Sequence, residues 1–233
     1  MTDPDPDLAA VAALFADRTR AAICLALLDG RAWTANELAR HAGVAASTAT
    51  GHLNLLVGAG VLAEVRQGRH RYVRLSGPRY AELIEALSAA APHPPAAPPR
   101  SLSAAGRRQA LARARTCYDH LAGTLAVDLA DAMTARGLLD WEGGLRLTRD
   151  GAAWLDGLGV ALPAGSRRPA VRACLDWTER RAHLAGAVGA ALCRHAFDAG
   201  WVTRIGSTRA VALTEAGREA LGEHLGMPAG GQS

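Results

Sequence analysis

The 233-residue chain contains no lysine; all 26 of its basic side chains are arginine. Every phosphate or carboxylate contact from a permanently charged basic side chain is therefore made by a planar guanidinium fork, which grips such groups bidentately. Cysteine is sparse. The four residues, Cys24, Cys117, Cys174 and Cys193, form no CxxC pair and no dense framework. That excludes a small disulfide-stapled scaffold and fits a reduced, cytoplasmic chain. No charge-free apolar run approaches the roughly 18 residues of a membrane span. The start, Met1-Thr2-Asp3-Pro4-Asp5-Pro6-Asp7, is acidic and broken by proline, unlike a secretory leader. No membrane partner and no cofactor are expected. Aromatics are only 4% of the residues, yet the chain is 49% apolar with 52 Ala, enough for a helical core.

The sharpest boundary is residues 91–100, where five prolines in ten residues suit an extended linker. The reading is a tail over 1–7, a first domain over 8–90, the linker, a second domain over 101–227, and a tail over 228–233. The fold class expected is mainly α with small β-hairpins, a winged helix-turn-helix followed by two helix-hairpin-helix repeats.

In the first domain, residues 8–15, 18–28, 35–43, 46–58 and 79–89 read as helices. Asp17 is set to cap the second, and Thr34 with Glu37 has the form of a capping box for the third. Residues 61–66 and 70–75 alternate as strands around Gln67-Gly68-Arg69. A helix, a tight turn at Gly43-Val44 and a second helix rich in small polar residues is the arrangement that enters a major groove. Leu53, Leu56 and Val57 form the stripe expected to be buried. Ser47, Thr48, Thr50, Gly51, His52 and Asn54 remain for DNA, with Arg66, Arg69, His70 and Arg71 on the wing. Residues 34–79 carry six Arg against Glu37 and Glu64, which puts about +4 where a wing would meet phosphates. The expected partner is a double-stranded DNA operator.

These segments also carry a family resemblance: Asp17-Arg18-Thr19-Arg20, Glu37-Leu38-Ala39, Ser47 to Leu56 with Ala59-Gly60-Val61-Leu62, and Gly68 to Leu75. They are similar to the ArsR/SmtB family of winged-helix repressors over about residues 8–90. The resemblance implies a homodimeric repressor, released from its operator by an effector, with helices 8–15 and 79–89 at the dimer interface. One departure is Gly51, where the family commonly has Arg before the His-Leu pair. Metal-sensing members place Cys on the helix before the recognition helix, or Asp and His on the last helix. Residues 34–40 here contain no Cys, and residues 79–89 offer only Glu82 and Glu85. A family-type metal site in the first domain is therefore not expected.

The second domain repeats itself, with units at about 107–158 and 170–225. His120-Leu121-Ala122-Gly123 recurs as His183-Leu184-Ala185-Gly186, an offset of 63, and Leu147-Thr148-x-x-Gly151 recurs as Leu213-Thr214-x-x-Gly217, an offset of 66. Each unit reads as a long helix, a hairpin and a second helix capped by Thr148 or Thr214. Cys117 and His120 would then share a helix face, and Arg180 would stand where Cys117 stands in the first unit. Cys117-Tyr118-Asp119-His120-Leu121-Ala122-Gly123 resembles a signature of a longer subgroup of ArsR-like regulators.

Three readings of the second domain stay open. One is packing, with Leu-Ala-Gly letting helices approach and the His residues bonding across a pseudo-twofold. A second is a small-molecule effector pocket, walled by Trp141, Trp154, Trp177 and Trp201 and anchored by Cys117, Tyr118, His120, Cys174 and His183. The third is metal, haem or thiol redox chemistry at Cys117, His120, Cys174 and His183. A remote alternative of another class is a Cys-dependent enzyme, with Cys117 as nucleophile. Catalysis is not expected, since no nucleophile turn or Gly-rich oxyanion loop accompanies that Cys. Cys24 and Cys193 read as structural.

Overall fold

The computed structural model describes residues 7–68, 70–92, 102–163, 168–206 and 208–228. Arg69, most of the Pro-rich segment and nearly all of both expected tails lie outside the described residues. The chain divides into two compact units, Met1–Ile84 and Glu85–Ser233.

The first unit contains α1 (Leu8–Phe15), α2 (Arg18–Leu27), β1 (Trp33–Thr34), α3 (Ala35–Ala42), α4 (Ala46–Gly58), β2 (Leu62–Gln67) and β3 (His70–Leu75), and α5 (Pro78–Ala90) begins in it. Its element order is that of a winged helix. The Asp17 carboxylate accepts from Arg20 N at 2.9 Å and starts α2. Thr34 and Glu37 complete the capping box of α3, and Gly43 ends that helix in the left-handed region at φ 69°. The sheet runs β1-β3-β2, all antiparallel, with Val65 opposite Tyr72 and Arg66 opposite Arg71. β1 is an addition to the expected hairpin. It is held from below by the buried Asp29, which accepts from Arg31 Nε at 2.7 Å and Trp33 Nε1 at 2.9 Å. Ile23, Leu27, Leu38, Leu53, Leu56, Val61 and Val73 make the core.

The second unit runs α6 (Leu102–Arg113), β4 (Arg115–Cys117), β5 (His120–Ala122), α7 (Thr124–Ala135), β6 (Leu139–Asp140), β7 (Arg146–Leu147) and α8 (Arg149–Gly157). The same order then recurs from β8 (Arg172–Leu175) and β9 (Ala182–Ala185) through α9 (Gly186–Asp198), β10 (Val202–Arg204) and β11 (Val211–Leu213) to α10 (Glu215–Leu225). The long helix expected through residues 117–123 is instead a β-hairpin followed by a helix. Tyr118 sits at φ 62° in its turn, and Gly123 at φ 87° breaks the chain before α7. Gly186 repeats this at φ 85°. A Cβ on Gly123 would lie 2.5 Å from Ala112 O, and one on Gly186 would lie 2.9 Å from Pro169 O. The Leu-Ala-Gly triplets therefore turn a strand into a helix against the preceding segment, rather than bringing two long helices together.

The two runs interlock. Helix α9 packs on β5 and α7 packs on β9, so each run's helix covers the other's hairpin. Met133, Leu155, Val188, Leu192 and Leu221 fill one shared core. The second capping signature is built twice. Thr148 Oγ1 accepts from Gly151 N at 2.9 Å and donates to Gly137 O at 2.7 Å, while Thr214 does the same with Gly217 N at 3.0 Å and Gly200 O at 2.7 Å. Gly151 and Gly217 are required by close approach, since an added Cβ would lie 2.2 Å from Leu138 O or Trp201 O.

Gly217→Ala is expected to destabilise the second unit by about 1–3 kcal/mol, because the obstacle is backbone. Gly51→Ala, in a helix interior with nothing near the added methyl, should be neutral or stabilising by about 0.5–1 kcal/mol. Denaturant unfolding of the two variants against the parent chain checks both.

Candidate nucleic-acid interface and buried thiol-imidazole cluster

On α4 the buried stripe is Ala49, Leu53 and Leu56, each at most 1% exposed. Ser47, Thr48, Gly51 and Asn54 face solvent. Two residues expected on that face depart from it. Thr50 is half-buried and donates to Ala46 O at 2.8 Å. His52 is also half-buried, with Nε2 3.9 Å from Asp17 Oδ1 and Nδ1 3.5 Å from Arg20 Nη1. The cause is helix period: position 52 is three after Ala49 and four before Leu56, so it flanks the buried stripe. Val57 is only partly buried.

On the wing, Arg66 is exposed with its guanidinium 3.8 Å from Glu64, and His70 and Arg74 are exposed. Arg71 instead pairs with Glu64 and donates to Asn54 Oδ1 at 2.9 Å. It ties the wing to the recognition helix, so Arg71 and Asn54 present one jointly held polar surface.

In the second unit the hairpins bring four distant residues together. Cys117 is the register partner of His120, and Cys174 that of His183. The equivalent of Cys117 is therefore Cys174, not Arg180. The second hairpin's turn has eight residues between Cys and His where the first has two, and this hides the match from a fixed-offset comparison. The sulfur and imidazole nitrogen atoms of all four residues lie within 4.8 Å of one another. His183 and His120 are 0% and 1% exposed, and Cys117 and Cys174 4% and 5%.

Carboxylates surround this cluster. Glu85 accepts from the thiols of both Cys117 and Cys174, the latter at 3.2 Å. Burial, joined by the charge of Cys174, pushes the Glu85 carboxyl up to about 7. Burial likewise raises the Cys117 thiol well above its ordinary value. Cys174 moves the other way, held down by a hydrogen bond from the Cys117 thiol and by the two His rings. Asp119 Oδ1 lies 3.2 Å from His120 Nδ1, and Arg168 holds both Asp119 oxygens. Burial works against charge on His120, but Asp119, Cys174 and Glu85 outweigh it and raise the ring to about 9. Asp176, 1% exposed, accepts from Arg115 Nη2 at 2.8 Å, Gly123 N at 2.7 Å and Thr178 Oγ1 at 2.6 Å. Its Oδ2 lies 3.6 Å from His183 Nδ1. Arg115 is fully buried, with its guanidinium 4.7 Å from the Trp177 ring centroid. It is spent on Asp176 rather than on a thiol.

The four Trp do not converge on one pocket. Trp154 and Trp201 line an apolar cavity of about 20 Å³ in the shared core, room for little more than one water. Trp141 is exposed and donates to Thr134 Oγ1, and Trp177 covers Arg115. Tyr118 stands apart from the cluster, lining a cavity of about 400 Å³ with Asp119, Arg168, Arg194, Phe197 and Arg204. Cys24 and Cys193 are buried elsewhere, and burial raises both thiols to about 12. Glu85, Asp119, Asp176 and Arg115 were missed as site residues. Three of them adjoin the motifs, as Asp119 precedes His120, Asp176 follows Cys174 by two and Arg115 precedes Cys117 by two, but Arg115 and Asp176 meet across 61 residues and Glu85 lies 32 and 89 residues from its two thiols.

The sequence model of the helix-turn-helix domain family matches residues 15–65. An HTH-type transcriptional regulator of Bacillus subtilis, YdfF, is 38% identical over 226 residues, which is 96% of this chain and 99% of that one. The chain belongs to the HTH-type transcriptional regulators. Among solved structures, the homodimeric winged helix-turn-helix domain Mb0332 of Mycobacterium bovis is similar at 27% identity and TM-score 0.33, over 35% of this chain and 75% of that one. The cadmium sensor CMTR of Mycobacterium tuberculosis is similar at 30% identity and TM-score 0.30, over 40% of this chain and all of that one. Among the described residues no helix of this regulator is long and apolar enough to cross a membrane.

Asp119, at about 2, and Asp176, lower still, both titrate below the ordinary carboxylate range. A depressed carboxylate contributes stability that is complete above about pH 4 and is lost as the pH falls toward the folded value. The second unit should therefore lose stability between about pH 4 and pH 2. Arg115→Met leaves Asp176 buried without its cation and is expected to cost about 3–5 kcal/mol at neutral pH, read by chemical denaturation.

Proposed function

We propose that this regulator is a homodimeric repressor that leaves its operator when an effector is sensed in the Glu85–Ser233 unit, at the Cys117, His120, Cys174 and His183 cluster. The observation that carries the DNA half is the solvent-facing surface of Ser47, Thr48, Gly51 and Asn54 on α4, beside the arginine-bearing hairpin. Short donors and acceptors there reach base edges, while Arg66, Arg69 and Arg74 meet phosphates. Arg71 serves both roles by steadying Asn54. Gly51 contributes close approach in place of a side-chain contact.

Self-association is supported by α1. Its sequence, Leu-Ala-Ala-Val-Ala-Ala-Leu-Phe, is wholly apolar, yet none of its residues is buried, and Leu8 is 75% exposed. An apolar helix left in water is a surface waiting for a partner. The sensing half rests on the buried cluster, because polar groups gathered in a dry interior are costly unless something satisfies them. The larger cavity, beside Asp119, is a second place for a small effector. The enzymatic alternative gains nothing from the geometry, since Cys117 is 4% exposed and bonded to Glu85.

Bound duplexes selected from a random pool supply an operator. Arg66→Ala should then weaken binding to all sequences and lower the salt slope by about one, whereas Asn54→Ala should change which bases are preferred. Unchanged affinity at every salt concentration for Arg66→Ala would refute the wing assignment. Val11→Glu with Leu8→Glu should shift the chain from dimer toward monomer in sedimentation, and lower operator affinity with it.

A further inference from the structure

We infer that Cys117, His120, Cys174 and His183 form a closed four-coordinate site for one zinc-class divalent cation per chain. The inference deepens the sensing half of the proposed function by naming the chemistry of that site.

Two independent observations carry it. The first is the donor set. Two sulfur and two imidazole ligands, gathered within 4.8 Å and buried, match the S2N2 set that selects tetrahedral zinc over hard, oxygen-seeking cations. With bonds of about 2.3 Å to sulfur and about 2.0–2.1 Å to nitrogen, the edges of such a tetrahedron are about 3.3–3.8 Å. To reach them the widest separations, up to 4.8 Å, close by as much as about 1 Å, and the two ring nitrogens, 3.1 Å apart, open slightly.

The second observation is the meeting of the two rings. His120 Nε2 and His183 Nε2 lie 3.1 Å apart. On the far side of each ring, Nδ1 faces a carboxylate: Asp119 at 3.2 Å for His120 and Asp176 at 3.6 Å for His183. Hydrogen-bonded at Nδ1 to Asp119, His120 turns its Nε2 toward that of His183, so that one proton or one metal ion fits between the two nitrogens. Carboxylate–histidine pairs of this kind orient and strengthen metal-binding imidazoles. The thiols supply the other two corners from the equivalent strand positions, so the centre follows the twofold relation of the hairpins. On binding, the Cys117 thiol proton and the proton shared between the rings pass to solvent, Cys174 binds as the thiolate it already is, and four metal–ligand bonds form.

The test uses the full chain, stripped of metal in reducing buffer and titrated with Co(II) alone. One equivalent per chain should produce intense ligand-field bands of tetrahedral type and a thiolate-to-cobalt charge-transfer band, both abolished by one equivalent of Zn(II). Cys117→Ser and Cys174→Ser should lose the charge-transfer intensity and weaken Zn(II) binding by at least about 100-fold. Asp119→Asn, which keeps all four ligands, should weaken it by about 10–100-fold. Cys193→Ser should bind like the parent. Failure of the parent chain to take up Co(II) overturns the inference whether or not any variant folds. So does an unchanged spectrum in Cys117→Ser, or a Cys117–Cys174 disulfide in place of metal uptake. Operator binding is read separately: its absence with the cobalt spectrum intact would end the repressor reading and leave the metal site standing.

Discussion

The second unit depends on one carboxylate. Asp176 receives hydrogen bonds from Arg115, Gly123 N and Thr178, and faces His183. Through these contacts it joins the first hairpin, the start of α7 and the turn that follows β8. In a dry site such a charge is tolerable only when its donors surround it, and each of them is then oriented by it. The fully buried arginine is the counterpart that makes this possible. With lysine absent from the chain, a guanidinium supplies the cation, and its several donors reach Leu111 O, Thr178 Oγ1 and Asp176 together.

Around that anchor, two hairpins present one Cys and one His each. The twofold repetition makes a four-residue centre from a two-residue register pair. A single hairpin would offer a thiol and an imidazole at a surface, whereas the interlocked pair buries both sets. The same economy appears in the winged unit, where Arg71 links Glu64 on the wing to Asn54 on α4. A side chain that a charge argument assigns to phosphate is in the free protein a strut. It holds the reading surface in place and lowers the ordering cost of binding.

Much of the winged unit was legible in the residues because its signals are local. Asp17, Thr34 with Glu37, and Gly43 each act within one helical turn, and the helix and strand limits they imply agree with the structure to within a residue or two. The Thr148 and Thr214 caps were legible for the same reason. The motif from Cys117 to Gly123 was misread as helix because its strands are three residues long and buried on both faces, too short for alternation to show. The pairing of Cys117 with Cys174 escaped because the extra turn residues fall between Cys174 and His183, which breaks the constant offset. On α4 the period was right, but positions 50 and 52 flank the stripe and are half-buried, Thr50 on Ala46 O and His52 against Asp17 and Arg20.

The sequence by itself determined the local chemistry of this regulator: a winged helix-turn-helix with a basic hairpin, an apolar first helix, and a later segment repeated with its caps and glycines. These follow from residue spacing within a turn or a strand. Only the tertiary structure decided which chemical groups meet. Glu85, Cys117, His120, Cys174 and His183 span nearly a hundred residues, and their convergence depends on α7 and α9 each covering the other run's hairpin. It also separated the tryptophans, which composition had suggested as one pocket: Trp154 and Trp201 line the shared core, Trp177 lies against Arg115, and Trp141 is exposed. Contact between distant side chains is set by how buried surfaces fit, and that fit has no signature in the spacing of residues along the chain.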